Sequence, residues 1–198
     1  MKGLTIWVDA DATPKDVKDV VFRAAKRLEI STVLVANQRL STPINNPWVS
    51  TILVAHGPDV ADSHIVEASA PGDVAITADI PLAAALVEAG VLVLDHRGEE
   101  YTEANVRERL SVRDFMDSLR GTGVETGGPS AWSPKDKRAF ADALDRTLTA
   151  RLRKMARKSK KKGPPGILAP KDPTHAQGAA TMTRRVPKTS AANSILPT

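Results

Sequence analysis

Ile6-Trp7-Val8-Asp9-Ala10-Asp11-Ala12-Thr13-Pro14 is an apolar run that passes straight into two acids and then a helix start. The run, residues 4–8, lacks polar alternation and so suits a strand buried on both faces, with Asp9 and Asp11 at its carboxyl end. Thr13 reads as an N-cap, with Pro14 at N1 and Asp16 at N3. Val17, Val20, Val21, Ala24, Ala25 and Leu28 then make one continuous helical apolar face. Runs of the same buried-strand character recur at 32–36, 49–54, 74–77 and 91–94, with helical patterns between most of them. The alternation predicts the α/β class: a three-layer α/β/α sandwich with a mostly parallel central sheet. Ligands are expected at the carboxyl ends of its strands, near a switch in strand order.

Beyond the last run, Thr102 begins a helix carrying Val106, Leu110, Phe115, Met116 and Leu119 and ending near Gly121. A loop over 121–129 follows. Ser133 then reads as an N-cap before Pro134, with Asp136 at N3. On the helix it starts, Phe140, Leu144, Leu148 and Leu152 recur every fourth residue, a stripe that should dock on the body. This places one domain at 1–152 and a tail at 153–198. Residues 151–198 hold 12 Lys/Arg and one acid, whereas the preceding residues hold 16 against 22, so an acidic body of net −6 precedes a basic segment of net +11. All seven aromatic residues lie at or before Phe140. The tail therefore reads as disordered, having too little apolar surface to offset its ordering entropy. The absence of cysteine excludes a disulfide scaffold, a thiolate zinc site and a catalytic thiol. No run reaches the roughly 18–20 apolar residues of a membrane span, and the amino terminus lacks a signal-type apolar region. A cytoplasmic protein with no membrane partner is expected.

The acids carry the functional signal. Asp9 and Asp11 end the first strand beside a helix start, where two carboxylates near amide donors suit a hard cation and a phosphate. Asp59 and Asp62 follow the third strand. Asp59 also reads as an N-cap with Asp62 at N3, and Asp62 lies beside the face that Ile65 and Val66 bury, where a carboxylate needs a partner. Asp79 follows the fourth strand and reads equally as the cap of a helix with Pro81 in its first turn. Three acid-bearing strand ends share one edge of a parallel sheet, where carboxylates raise one another's pKa unless a cation bridges them. An all-oxygen donor set favours Mg²⁺ or Mn²⁺ over zinc. Asn37 at the end of the second strand, Arg97 after the fifth and the Thr126-Gly127-Gly128 turn are candidate substrate-binding groups. Their alternative roles are a turn former, a charge partner for Asp95, Glu99 or Glu100, and a plain turn. His56, His64 and His96 have no metal-site spacing and read as surface or loop residues.

The motifs Val8-Asp-Ala-Asp-Ala-Thr-Pro14, Val35-Ala-Asn37, Ala61-Asp62 with Ile65-Val66, Ile76-Thr-Ala-Asp-Ile-Pro-Leu-Ala83, Arg97-Gly-Glu99 with Tyr101-Thr102, and Thr126-Gly-Gly-Pro129 resemble, in this order, the YaiI/YqxD family of bacterial proteins, also called UPF0178 or DUF188. The resemblance covers roughly residues 4–150 and leaves out the basic tail. One departure is Thr13, where the family usually carries Cys, and it argues against an essential thiol. The family resembles the PIN-like group, which implies an α/β/α sandwich and, in many relatives, metal-dependent nuclease activity. Carried over residue by residue, Asp9 matches the first-strand acid, Asp62 or Asp59 the central-helix acid and Asp79 the acid after the fourth strand, with Asp11 auxiliary.

The leading expectation is a Mg²⁺- or Mn²⁺-dependent nuclease acting on RNA or DNA through Asp9, Asp62 and Asp79, with the basic cluster at 158–162 attracting the polyanion. Two alternatives come from other classes. One is a non-catalytic RNA- or ribosome-binding protein anchored by the tail. The other is a haloacid-dehalogenase-like phosphatase with Asp9 as nucleophile and Asp11 as acid/base, for which no convincing later Lys and acid-pair motif is present.

Overall fold

The computed structural model describes residues 3–121 and 132–161, with side chains through 158. The elements run β1 (Thr5–Asp9), α1 (Lys15–Leu28), β2 (Ser31–Ala36), β3 (Val49–Leu53), α2 (Val60–Ala68), β4 (Val74–Ile76), α3 (Ile80–Glu88), β5 (Leu92–Leu94), β6 (Glu100–Tyr101), α4 (Glu103–Gly121) and α5 (Pro134–Lys161). They form one sheet in the order β3-β2-β1-β4-β5-β6, parallel except for the short β5–β6 hairpin. From β1 the chain builds outward to β2 and β3, then crosses back to place β4 on the other side of β1. The strand order therefore switches between β1 and β4. Right-handed crossovers that build in opposite directions put their helices on opposite faces, and the three-layer sandwich follows.

Strand parity assigns the layers. Ile6 and Val8 of β1 pack with Val17, Val20, Val21 and Ala24 of α1 and with Phe140, Leu144 and Leu148 of α5. Trp7 faces the other way, into a cluster with Ile65 of α2, Leu82, Ala83 and Leu86 of α3, and Val106 of α4. Asp9 has the parity of Trp7 and so lies on the α2/α3 side. The α5 stripe docks as its spacing implied: Phe140, Leu144 and Leu148 are fully buried, each contributing about 1.5–3 kcal/mol of apolar burial.

Several local expectations are corrected. The edge strand β3 is half-exposed rather than buried on both faces, with Leu53 54 % exposed, because it has a neighbour on one side only. Thr13 does not cap α1, which begins one residue later than expected with Pro14 as its uncapped N-cap residue. The Thr13 hydroxyl turns inward instead and donates to the Asp9 carbonyl. Asp59 occupies the N-cap position of α2 in a left-handed conformation, φ 58°, with no side-chain cap bond. Its backbone carbonyl, rather than its carboxylate, accepts from Ser63. By contrast, the helix started at Ser133 agrees with its sequence reading: its last turns run through the basic residues from Arg151 to Lys161, no breaker standing before Gly163. Of the two compact units, 1–162 and 163–198, only the first falls among the described residues. No helix among them is long and apolar enough to cross a membrane.

Candidate functional site

The switch between β1 and β4 is where an open α/β sheet offers a crevice at its carboxyl edge, because the outgoing loops diverge to opposite sides. Asp9 ends β1 there. It is buried, and its Oδ2 accepts a 3.0 Å hydrogen bond from the Thr77 hydroxyl at the end of β4. Burial pushes its pKa up. The Thr77 hydroxyl and the Ala12 amide pull it down, and the nearby charges of Asp11 and Asp79 push it up again. Asp79 enters as the cap of α3: its Oδ1 accepts from the Leu82 amide at 2.8 Å, while its own amide donates to Thr77 Oγ1 at 3.0 Å. Thr77 thus links the two acids through one hydroxyl. Capping and site membership are not rivals at Asp79, since one oxygen serves the helix and the other remains.

Asp62 approaches from α2. Its carboxyl is half-buried, accepts no hydrogen bond among the described residues, and is raised from 3.8 to about 6 by burial and then by the charges of Asp9, Asp79 and Asp59. Among the described residues no Lys or Arg lies within ion-pair distance of Asp9, Asp62 or Asp79. The sheet edge therefore holds mutually repelling acids whose charge the fold leaves uncompensated.

The remaining sequence candidates separate. Asp11 is exposed and staples the β2 exit: its Oδ2 accepts from the Asn37 amide at 2.7 Å and its Oδ1 meets Gln38 Nε2 at 3.5 Å. Asn37 is thereby held by its backbone beside the site. Asp59 is exposed on the α2 side and acts on Asp62 through its charge alone. Arg97 Nη1 pairs with Asp136 Oδ1 at 3.1 Å, tying the β5–β6 turn to the start of α5. Thr126, Gly127 and Gly128 lie outside the described residues. His96, expected at the surface, is buried, with Nε2 3.1 Å from Thr13 Oγ1, and burial lowers its pKa. The hydroxyl of Thr13 already donates to Asp9, so Nε2 carries the proton and the ring donates. His96 and Thr13 together brace the Asp9 main chain, a role that spacing alone could not reveal.

Among the described residues no three acidic or histidine side chains converge as a ready-made metal-ligand set. The donors still fit a hard divalent cation in kind, being oxygen-only and uncompensated in charge. Mg²⁺ commonly keeps several waters and takes only one or two carboxylates together with substrate phosphate. Asp9, Asp62 and Asp79 are the residues that would hold it.

The fold and this edge define an open-sheet α/β protein with acidic side chains at the carboxyl edge of its topological switch point. The family model described as "Uncharacterized BCR, YaiI/YqxD family" (DUF188) matches residues 7–150, and the chain belongs to that family. It is 54 % identical over 145 residues to a UPF0178 protein of Dechloromonas aromatica, covering 73 % of this chain and 96 % of that one. A UPF0178 protein of Myxococcus xanthus is 56 % identical over 146 residues, 74 % and 95 % of the two chains. One from Proteus mirabilis is 50 % identical over 151 residues, 76 % and 99 %. No solved structure matches the chain significantly.

Proposed function

We propose that the chain is a Mg²⁺- or Mn²⁺-dependent phosphodiesterase acting on RNA or DNA, a nuclease of PIN-like type. The observation that carries this reading is the uncompensated repulsion among Asp9, Asp62 and Asp79 at the β1–β4 switch point. A divalent ion bound there supplies charge neutralisation at a phosphodiester and a water of lowered pKa. The chain's own groups prepare the place. Thr77 orients the Asp9 carboxylate, the α3 cap fixes Asp79, and α2 brings Asp62 to the same edge. The motif resemblance to the PIN-like group supports the same assignment of Asp9, Asp62 and Asp79.

The test is calorimetric titration of Mn²⁺ into the full-length protein and its Asp9→Asn and Asp79→Asn variants, with cleavage of single-stranded RNA and DNA measured alongside. Asn is as good an N-cap as Asp, so Asp79→Asn removes charge without removing the α3 cap. Metal affinity falling at least tenfold in both variants, together with loss of cleavage, is the expected result. Unchanged affinity and unchanged cleavage in either variant overturn the reading.

A further inference from the structure

The amino edge of the sheet carries the opposite charge. Helix α5 starts beside Arg97 at the carboxyl edge and crosses the sheet, so that Arg151 reaches Gly72 just before β4. The fifteen helical steps from Asp136 to Arg151 span roughly 22 Å. From Arg146 to Lys158 the helix carries six cations and no acid. Arg151, Lys154, Met155 and Lys158, spaced i, i+3, i+4 and i+7, line a cleft of about 450 Å³ against Gly3, Leu4 and the Ala70–Asp73 turn.

Among the described residues nothing inside this cleft neutralises those cations. The one acid in its described lining, Asp73, is buried and committed to the fold: its carboxylate accepts from the Thr5 amide at 3.1 Å, Trp7 Nε1 at 3.1 Å and the Ala70 amide at 3.0 Å. Among the described residues Arg151, Lys154 and Lys158 have no carboxylate within ion-pair distance. Arg151 lays its guanidinium over Gly72 and donates one N–H to the Gly72 carbonyl, while its buried Nε has no acceptor. Elsewhere the same helix pairs its charges, as Asp145 does with Arg27 and Lys137 with Asp16. A guanidinium fixed by the backbone, flanked by two exposed ammonium groups, is suited to a phosphate oxygen cluster.

We infer that this cleft between α5 and the amino ends of β1 and β4 binds backbone phosphates of a nucleic acid, at a place distinct from the acidic edge. A polymer is favoured over a free phosphate because the cations are not confined to the cleft: Arg153 and Arg157 lie exposed on the same stretch of helix, and the sequence continues with lysines at 160–162. The inference rests on the nucleic-acid reading for its ligand but not on the metal chemistry, so binding is measured in EDTA.

The experiment uses the full-length protein and a fluorescein-labelled 20-nucleotide single strand, with anisotropy recorded across a salt series. Lys154 and Lys158 are exposed, so the double variant K154Q/K158Q keeps the fold; K135Q/R138Q makes the same charge change at the other end of α5. Two lost phosphate contacts should weaken binding about tenfold and reduce the log–log salt slope by about 1.4. The control pair should change affinity less than twofold. Equal effects of the two pairs, or no measurable binding by the wild type, overturn the inference. So does loss of inorganic-phosphate binding or of anionic-vesicle binding with oligonucleotide affinity unchanged.

Discussion

Replacing Asp62 by Asn should stabilise the metal-free protein. The Asp62 carboxyl is raised from 3.8 to about 6 because burial and the charges of Asp9, Asp79 and Asp59 disfavour its ionised form. An acid whose folded value lies above its unfolded value binds its proton more tightly when folded, so stability falls as pH rises from about 4 to about 6. Above that window the full penalty is present; below it both states are protonated and the penalty is absent. A shift of about two units corresponds to about 3 kcal/mol, and solvent screening of a half-buried group reduces this to about 1–1.5 kcal/mol. Asn has nearly the same shape and loses no hydrogen bond among the described residues. For a folded unit of this size the variant should melt about 3–5 °C higher at pH 7 in EDTA, with the gap closing by pH 4. Thermal unfolding followed by circular dichroism reads both values. A variant no more stable than wild type at pH 7, or an advantage that persists unchanged at pH 4, refutes the account of Asp62 as an uncompensated charge.

The same pair of proteins tests what the charge is for. At a hundredfold excess of Mn²⁺ over its dissociation constant, a ligand specific to the folded state adds about 2.7 kcal/mol. That exceeds the penalty at Asp62, so metal that binds the wild type but no longer binds the variant should reverse the order of melting temperatures. Stabilisation of both proteins by the same amount would detach Asp62 from the metal.

Three further substitutions probe the frame that positions the two edges. Asp73→Ala leaves the Thr5 and Ala70 amides and the Trp7 indole N–H without their acceptor. It should cost at least about 3 kcal/mol in urea unfolding, and a loss below 1 kcal/mol would mean that water replaces the carboxylate. Phe140→Ala, at the fully buried start of the α5 stripe, should cost about 3–5 kcal/mol by the same measurement, and a loss under 1 kcal/mol would show that α5 is not docked by this face. Gly98 turns the β5–β6 hairpin at φ 85°, where an added Cβ would meet the Ala139 carbonyl oxygen of α5 at 2.6 Å. Gly98→Ala should therefore lower the melting temperature by several degrees, and an unchanged melting temperature would place α5 farther from the turn.

What the sequence disclosed follows from which interactions are local. Strand runs, helix faces and the Phe140–Leu148 stripe depend on periodicity within one element, and their placement agrees with the structure to within a residue or two. The Ser133 cap is equally local: its hydroxyl and amide both bond Asp136 Oδ2, at 2.7 and 2.8 Å. Thr13 has the same local pattern but a different outcome. A capping bond competes there with a buried carbonyl and an imidazole contributed 83 residues later, and the long-range partners win. Asp73 was silent for the same reason, since the N–H groups it satisfies in β1 lie 66 and 68 residues away. The acids at the carboxyl edge were legible because a parallel sheet gathers strand ends whatever its order. Their partner Thr77 was not, because only the adjacency of β1 and β4 turns its hydroxyl into the hinge between Asp9 and Asp79. The strand order thus does more than bury a core. It sets the acids together at one edge, and α5 carries to the other cations that have no carboxylate partner among the described residues, so that the polyanion proposed above would have two chemically different places to meet the same sheet.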